Sequence, residues 1–269
     1  MEQLYIFGTG NAAVTNCYNT CFALKKGDEY FMTDAGGGNG ILHILNEMNV
    51  DLSRIHHLFV SHEHTDHILG VIWMVRMIGA GMKAGKYEGA FQIYCHERLV
   101  PVIDTLCRLT LQGKFYELIG KRILLNSVSD GETRNILGTD VTFFDIHSTK
   151  AEQYGFALTL ENGKRLTFCG DEPYNKACSM YVENCSWLLH EAFCLYEDRE
   201  LFKPYEKHHS TVKDACLLAE EIKVENLVLW HTEDSDLSHR KERYRKEGTT
   251  FYHGNLFVPD DGEIISLAL

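Results

Sequence analysis

Short apolar runs punctuated by turn residues, with helical stretches between them, set out the plan of the chain. Leu4-Tyr5-Ile6-Phe7 is strand-like and ends at the turn Gly8-Thr9-Gly10-Asn11. Cys21-Phe22-Ala23-Leu24 and Tyr30-Phe31-Met32-Thr33 are two more strands around the turn Lys26-Gly27-Asp28. Ile41, Leu42, Leu45 and Met48 recur at helical spacing, with Asn39 as a candidate cap. Leu58-Phe59-Val60 predicts a buried strand, and Ile68 to Val75 a helix. The glycine- and lysine-rich stretch from Gly79 to Gly89 reads as a mobile loop on the rim of a site. Phe91 to Cys95 predicts a strand, and Val100 to Leu111 a helix with Pro101 in its first turn.

From Ile123 onward strands dominate again. Val141 to Ile146 leads into His147. Gly155 to Leu160 and Arg165 to Cys169 flank Asn162-Gly163, the strongest short hairpin signal. Ser186 to Leu189 runs into His190-Glu191, and Asn226 to Trp230 into His231. Thr211 to Ile222 predicts a helix capped by Ser210; Leu237 to Lys246 is a charged helix, and Glu263 to Leu267 a last strand. The order suggests two similar halves, each a group of strands followed by helix–strand alternation. Two sheets packed face to face with helices outside satisfy it, an α+β architecture. No Pro-, Gly- or Ser-rich linker divides the chain, so a single domain spanning residues 1–269 is expected.

Composition narrows the function. A formal net charge of −12 disfavours loose binding to long nucleic acid, which relies on many Lys and Arg contacts to phosphate. A short anionic substrate held by metal ions is compatible with it. The nine cysteines form no CxxC pair and lie mostly in apolar strands and helices, which points to reduced thiols and a cytoplasmic, reducing compartment. The start, Met1-Glu2-Gln3-Leu4, lacks the basic and apolar regions of a signal peptide. The longest apolar helix candidate is interrupted by Arg76, too short to cross a bilayer, so no membrane partner is expected.

Candidate chemistry collects at strand ends. His62-Glu63-His64-Thr65-Asp66-His67 packs three histidines and an aspartate into six residues directly after a buried strand. Histidine and carboxylate are the usual ligands of zinc and similar ions. Alternate side chains of an extended segment point the same way, so His62 and His64 suit one ion, with Asp66 and His67 placed for a second. His147, Asp171, Glu191 and His231 each follow an apolar run in the same manner. Asp34, after another strand and before Gly36-Gly37-Gly38, suits a supporting role under the metal site. His43, His96, His239 and His253 read as surface or helix-face residues.

The pattern His62-Glu63-His64-Thr65-Asp66-His67 resembles the HxHxDH signature of the metallo-β-lactamase superfamily, and His147, Asp171 and His231 match its later metal-ligand positions in order. His190-Glu191-Ala192-Phe193 resembles the HEAT-type motif, and His209-Ser210-Thr211 the HST motif, of its ribonuclease Z-like branch. The resemblance extends from Gly8-Thr9-Gly10 to the terminal strands. It implies an αββα sandwich of two mixed β-sheets with helices on the outer faces and a dinuclear centre. His62, His64 and His147 would bind one ion, Asp66, His67 and His231 the other, and Asp171 both. Zinc suits this set, and manganese or iron the same ligands. Two adjacent divalent ions acidify a shared water and screen the charge of an attacked phosphate. Asp66 would orient or deprotonate that water, while Glu191 holds His209 to protonate the leaving oxygen.

The implied activity is a metal-dependent phosphodiesterase, a ribonuclease Z-like nuclease. Ribonuclease Z enzymes that mature tRNA carry a long arm, commonly between the positions matching His147 and Asp171. That interval here holds only a short loop and the Asn162-Gly163 hairpin. The expected substrate is therefore a small or single-stranded phosphodiester, such as a cyclic nucleotide or short RNA. Two alternatives stand beside it: hydrolysis of a thioester or lactone by the same metal signature, and a metal-bearing binding protein without turnover. Homodimers are common in the branch.

Overall fold

Strands form where apolar residues alternate or run together between turns, and the computed structural model, which describes residues 2–268, places fourteen of them. The described residues divide into two compact units: residues 2–8, 18–129 and 262–268 in the first, and 9–17 with 130–261 in the second.

The first unit holds β1 (Gln3–Gly8), β2 (Cys21–Lys26), β3 (Glu29–Thr33), α1 (Gly40–Glu47), β4 (Ile55–Phe59), α2 (Thr65–Lys83), β5 (Phe91–His96), α3 (Leu99–Thr110), α4 (Gly113–Tyr116) and β6 (Ile123–Val128). With the final strand β14 (Ile264–Ser266) they form a seven-stranded sheet in the order β14-β1-β2-β3-β4-β5-β6. The pairings from β14 to β3 are antiparallel and those from β3 to β6 parallel.

The second unit repeats this plan. It contains β7 (Thr133–Ile136), β8 (Thr139–Asp145), β9 (Tyr154–Thr159), β10 (Arg165–Phe168), α5 (Ser179–Val182), β11 (Trp187–Glu191), α6 (Arg199–Phe202), α7 (Val212–Glu221), β12 (Asn226–Trp230), α8 (Leu237–Gly248) and β13 (Asn255–Phe257). The sheet order is β13-β12-β11-β10-β9-β8-β7. It too is antiparallel from β7 to β10 and parallel from β10 to β13. The two similar halves suggested by the sequence are therefore present as two sheets of one design. Between His147 and Asp171 the chain makes only a loop, β9, a connection over 160–164 and β10.

Several boundaries differ from the sequence expectation. Helix α2 starts at Thr65, so Asp66 and His67 lie in its first turn rather than before it. It also runs through Gly79 and Gly81 to Lys83, and a Cβ at either glycine would make only ordinary contact, with Leu118 and Phe115 or with Tyr87. The remaining 84–89 segment is anchored, not a free rim: Tyr87 is buried and its hydroxyl donates to Ile55 O at 2.8 Å. Arg122 ties the carbonyls of Tyr87 and Gly89, each at 2.8 Å. Helix α7 is capped by Thr211, which forms a reciprocal capping box with Asp214, and not by Ser210. His96 is buried at the end of β5 rather than exposed.

One close approach fixes the start of α2. Gly70 N–H donates to Gly36 O at 2.8 Å, and Ala35 N–H donates to His67 O at 3.2 Å. A Cβ on Gly70 would run into the Ala35 carbonyl oxygen, whereas one on Gly38 would meet open space. Gly70→Ala is expected to lower urea-unfolding stability by about 1–3 kcal/mol, against a change within about 0.5 kcal/mol for Gly38→Ala. Equal effects would show that the helix start is free to shift.

Half-buried His57 in β4 lies with Nδ1 3.2 Å from the Tyr94 hydroxyl. Burial, and secondarily the neighbouring His56, push its pKa down to about 4. The unfolded chain takes up this proton near the ordinary value of about 6.5, before the folded one does. The contribution is thus complete above pH 6.5 and is lost as the pH falls towards 4. The variant His57→Gln is expected to flatten the dependence of stability on pH across that window, measured by urea titrations at stepped pH.

Candidate metal-binding and catalytic residues

In the first unit the parallel strands deliver their ligands at their carboxyl ends, where open α/β sheets gather function. Asp34 follows β3 with a left-handed backbone, φ 54°. Its N–H donates to Phe59 O at 2.8 Å, locking it beside the end of β4. Its Oδ1 accepts the Ser61 N–H at 2.8 Å; its Oδ2 faces the Ser61 hydroxyl at 2.7 Å and His67 Nδ1 at 2.8 Å. The hydrogen-bond network assigns the His67 proton to Nδ1, which leaves the Nε2 lone pair outward, the arrangement that orients histidine ligands in metal sites. Ser61 Oγ, having given its proton to Asp34, accepts from His62 Nδ1 at 3.0 Å and fixes that ring likewise.

Donor atoms crowd together here, the His67–Asp66 pair at a spacing that suits a metal and the His62–His64 pair closer, at hydrogen-bond distance. His62 Nε2 and His64 Nδ1 lie 2.9 Å apart, and His67 Nε2 lies 3.3 Å from Asp66 Oδ2. Ligand bonds of about 2.0–2.2 Å to tetrahedral zinc set neighbouring donors about 3.3–3.6 Å apart. His62, Asp66 and His67 are buried and His64 is half-buried, so these polar atoms face one another in a nearly dry place.

In the second unit the parallel register pairs Phe168 with Leu189 and Glu191 with Trp230. Asp171, Glu191 and His231 therefore leave adjacent strands at the same edge. His231 adopts φ 56°, and its Nε2 lies 3.5 Å from Asp171 Oδ2, again a ligand-like spacing. Gln153 Nε2 donates to the other Asp171 oxygen at 2.6 Å. His147 also has a left-handed backbone, φ 57°, and its side chain is 46% exposed. Asp145 directs it: Oδ1 accepts the His147 N–H at 2.7 Å, and Oδ2 is 3.6 Å from Nδ1.

Glu191 and His209 face each other. Glu191 is fully buried; its Oε1 accepts the Ser210 N–H at 2.6 Å, and its Oε2 lies 3.6 Å from His209 Nδ1. Neither of those last two atoms has a hydrogen-bond partner, so each is the other's obvious complement. His209 stacks on Phe193, centroids 5.0 Å apart, and its ring is 5.2 Å from that of His231. Two histidines adjoining this pair point elsewhere. His190 turns away, with Nδ1 2.6 Å from Glu191 O and Nε2 accepting from Tyr174 N–H. His208 Nδ1 lies 2.8 Å from Thr149 Oγ1. His147 and His209 share the wall of a cleft of about 430 Å³ with Tyr174, Tyr205 and Glu172.

Sequence reasoning did not single out Ser61, Asp145, Gln153 or Lys150. Each acts through a hydrogen bond or charge that depends on a loop conformation, and no motif marks it.

The chain resembles several known proteins over nearly its full length. A family described as Anti-Pycsar protein Apyc1 matches residues 2–252. Ribonuclease Z from Thermococcus sibiricus is 25% identical, across 99% of this chain and 97% of that protein. In fold, the chain is similar to the metallo-β-lactamase fold protein YhfI from Bacillus subtilis (TM-score 0.77, 19% identity, 98% of both chains). It is also similar to human tRNase Z, short form (TM-score 0.76, 18% identity, 99% of this chain and 100% of that one). These likenesses bear out the metallo-β-lactamase fold and the ribonuclease Z-like branch expected from the sequence motifs. The chain belongs to the Anti-Pycsar protein Apyc1 family and has the metallo-β-lactamase fold.

Proposed function

We propose that this protein is a metal-dependent phosphodiesterase acting on a small or single-stranded phosphodiester, its residues 1–269 forming a single domain. His62, His64 and His147 would hold one divalent ion, Asp66, His67 and His231 a second, and Asp171 both. The near-tetrahedral spacing of the donor pairs and the fixed tautomers of His62 and His67 support that assignment. Zinc is the favoured metal because imidazole dominates the set. When bound, such ions supply Lewis acidity that lowers the pKa of water and offsets phosphate charge.

The remaining work falls to the chain's own groups. As the water oxygen forms its bond to phosphorus, its proton passes to the Asp66 carboxylate. The bond to the leaving oxygen breaks, and that oxygen takes a proton from His209 Nε2. Glu191, pinned through Oε1 by the Ser210 N–H, holds Nδ1 and stabilises the charged imidazole. This buried Glu191–His209 pair carries the choice of phosphodiester. A thioester route has no equal need for it, since a thiolate leaves without a proton donor.

The short connection between β9 and β10 offers no arm for gripping a folded tRNA, which favours a cyclic nucleotide or short RNA. No helix among the described residues is long and apolar enough to cross a membrane. Eight of the nine cysteines are buried and all nine are free thiols, which supports the cytoplasm as the compartment. Leu69, Trp73 and Met77 make an exposed apolar stripe along α2, a surface suited to homodimerisation.

His209→Ala is expected to cut kcat by about 10²–10⁴-fold on a substrate with an alkoxide leaving group, such as a cyclic nucleotide, with metal content unchanged. The loss should be much smaller on bis(p-nitrophenyl) phosphate, whose phenolate needs little protonation. Equal losses on both would remove the proton-donor role. For Asp34→Asn, zinc affinity measured by chelator competition is expected to fall about 10–100-fold, because His67 loses the carboxylate that orients it. Unchanged affinity would mean that His67 binds no metal.

A further inference from the structure

The loop 148–153 is stapled at both ends to the adjacent pair Asp171 and Glu172. At one end Ser148 Oγ donates to Glu172 Oε1 at 2.7 Å, and Thr149 N–H to Oε2 at 3.1 Å. At the other, Gln153 donates to Asp171 at 2.6 Å. Ser148 Oγ also accepts the N–H groups of Lys150 and Ala151, at 3.2 and 3.3 Å. The backbone at the loop tip is thereby set, while the Lys150 side chain keeps room to move, being 23% exposed.

The Lys150 ammonium ends 3.5 Å from His209 Nε2 and 3.8 Å from Glu172 Oε1. With Nδ1 turned to Glu191, Nε2 is the atom left to face a substrate. An ammonium beside it stands where phosphate oxygens would arrive. Its attachment to Glu172 is long for an ion pair, and that carboxylate is already engaged by Ser148 and Thr149. An incoming phosphate can therefore draw the ammonium off at small cost.

We infer that Lys150 grips a non-bridging oxygen of the bound phosphodiester and so sets the leaving oxygen against His209 Nε2. This rests on the phosphodiesterase reading and adds the group that recognises the anion. Lysine suits the task as a compact point charge with three donors on a flexible stem. Lys150 itself gains and loses no proton in the step.

The test compares metal-loaded wild type, Lys150→Met and Lys150→Arg in two measurements: the calorimetric Kd for inorganic phosphate, and KM and kcat with bis(p-nitrophenyl) phosphate. Lys150→Met is expected to weaken phosphate about tenfold and to raise KM by a similar factor with a smaller change in kcat, as for loss of one charge-assisted contact. Lys150→Arg is expected to recover most of both. Matching thermal melts show that the fold is kept, and Lys150→Gln replaces Lys150→Met should the latter melt early. An unchanged phosphate Kd in the charge-free variant overturns the inference, as does a wild type that binds no phosphate. Phosphate binding is read without turnover. A Lys150-dependent affinity in a protein that cleaves no phosphodiester would therefore sink the phosphodiesterase reading and leave the anion site standing.

Discussion

A buried carboxylate with one oxygen pinned by a serine N–H and the other turned to an imidazole Nδ1 is the constraint on which the functional residues depend. The chain uses it twice. Asp34 takes the Ser61 N–H on Oδ1 and meets His67 Nδ1 with Oδ2. Glu191 takes the Ser210 N–H on Oε1 and faces His209 Nδ1 with Oε2. In both cases the carboxylate leaves Nε2 outward, and under the proposed assignments it would stabilise positive charge placed there, by a metal ion on His67 and by a proton on His209. Asp34 is tolerable in a dry interior because Ser61 and His67 engage both of its oxygens, whereas Glu191 is bonded through Oε1 alone and faces His209 with Oε2 across 3.6 Å.

The sheets explain why these groups are rigid. Parallel strands in register end together, so a residue one or two positions beyond each end is held to the same edge. Sharp turning there has a conformational cost. Asp34, His147 and His231 all take left-handed backbone at φ 54–57°. Non-glycine residues in that region typically cost about 1–3 kcal/mol and persist where the surroundings hold them. Here a neighbouring strand or side chain does so: Phe59 O receives the Asp34 N–H, and Asp145 the His147 N–H.

Much of this was legible in the sequence. Strand-end ligands show themselves because an apolar run followed by His, Asp or Glu has few bland explanations, and the repeated strand–helix order gave the two similar sheets. The hairpin from Tyr154 to Phe168 followed from Asn162-Gly163, although its connection is longer than two residues. What escaped depends on distant partners. The α2 start was misplaced because Asp66 and His67 look like loop ligands until Gly70 is seen to seat the helix on Ala35. Ser210 resembles a helix cap, yet the Thr211–Asp214 box takes that role and frees Ser210 to hold Glu191. The glycine-rich 79–89 stretch looked mobile because nothing in its composition announces that Tyr87 is buried. Lys150 carries no signal until the 148–153 loop is folded onto Glu172.

The central proposal is that His62, His64, Asp66, His67, His147, Asp171 and His231 of this metal-dependent hydrolase would hold a pair of divalent ions. Anomalous diffraction at the zinc edge, from crystals of zinc-loaded protein, tests it most directly. The account requires two peaks about 3.5–4 Å apart, one touched by His62, His64 and His147, the other by Asp66, His67 and His231, with Asp171 shared. Peaks far apart, or peaks reached by the His62–His67 cluster alone, would contradict it.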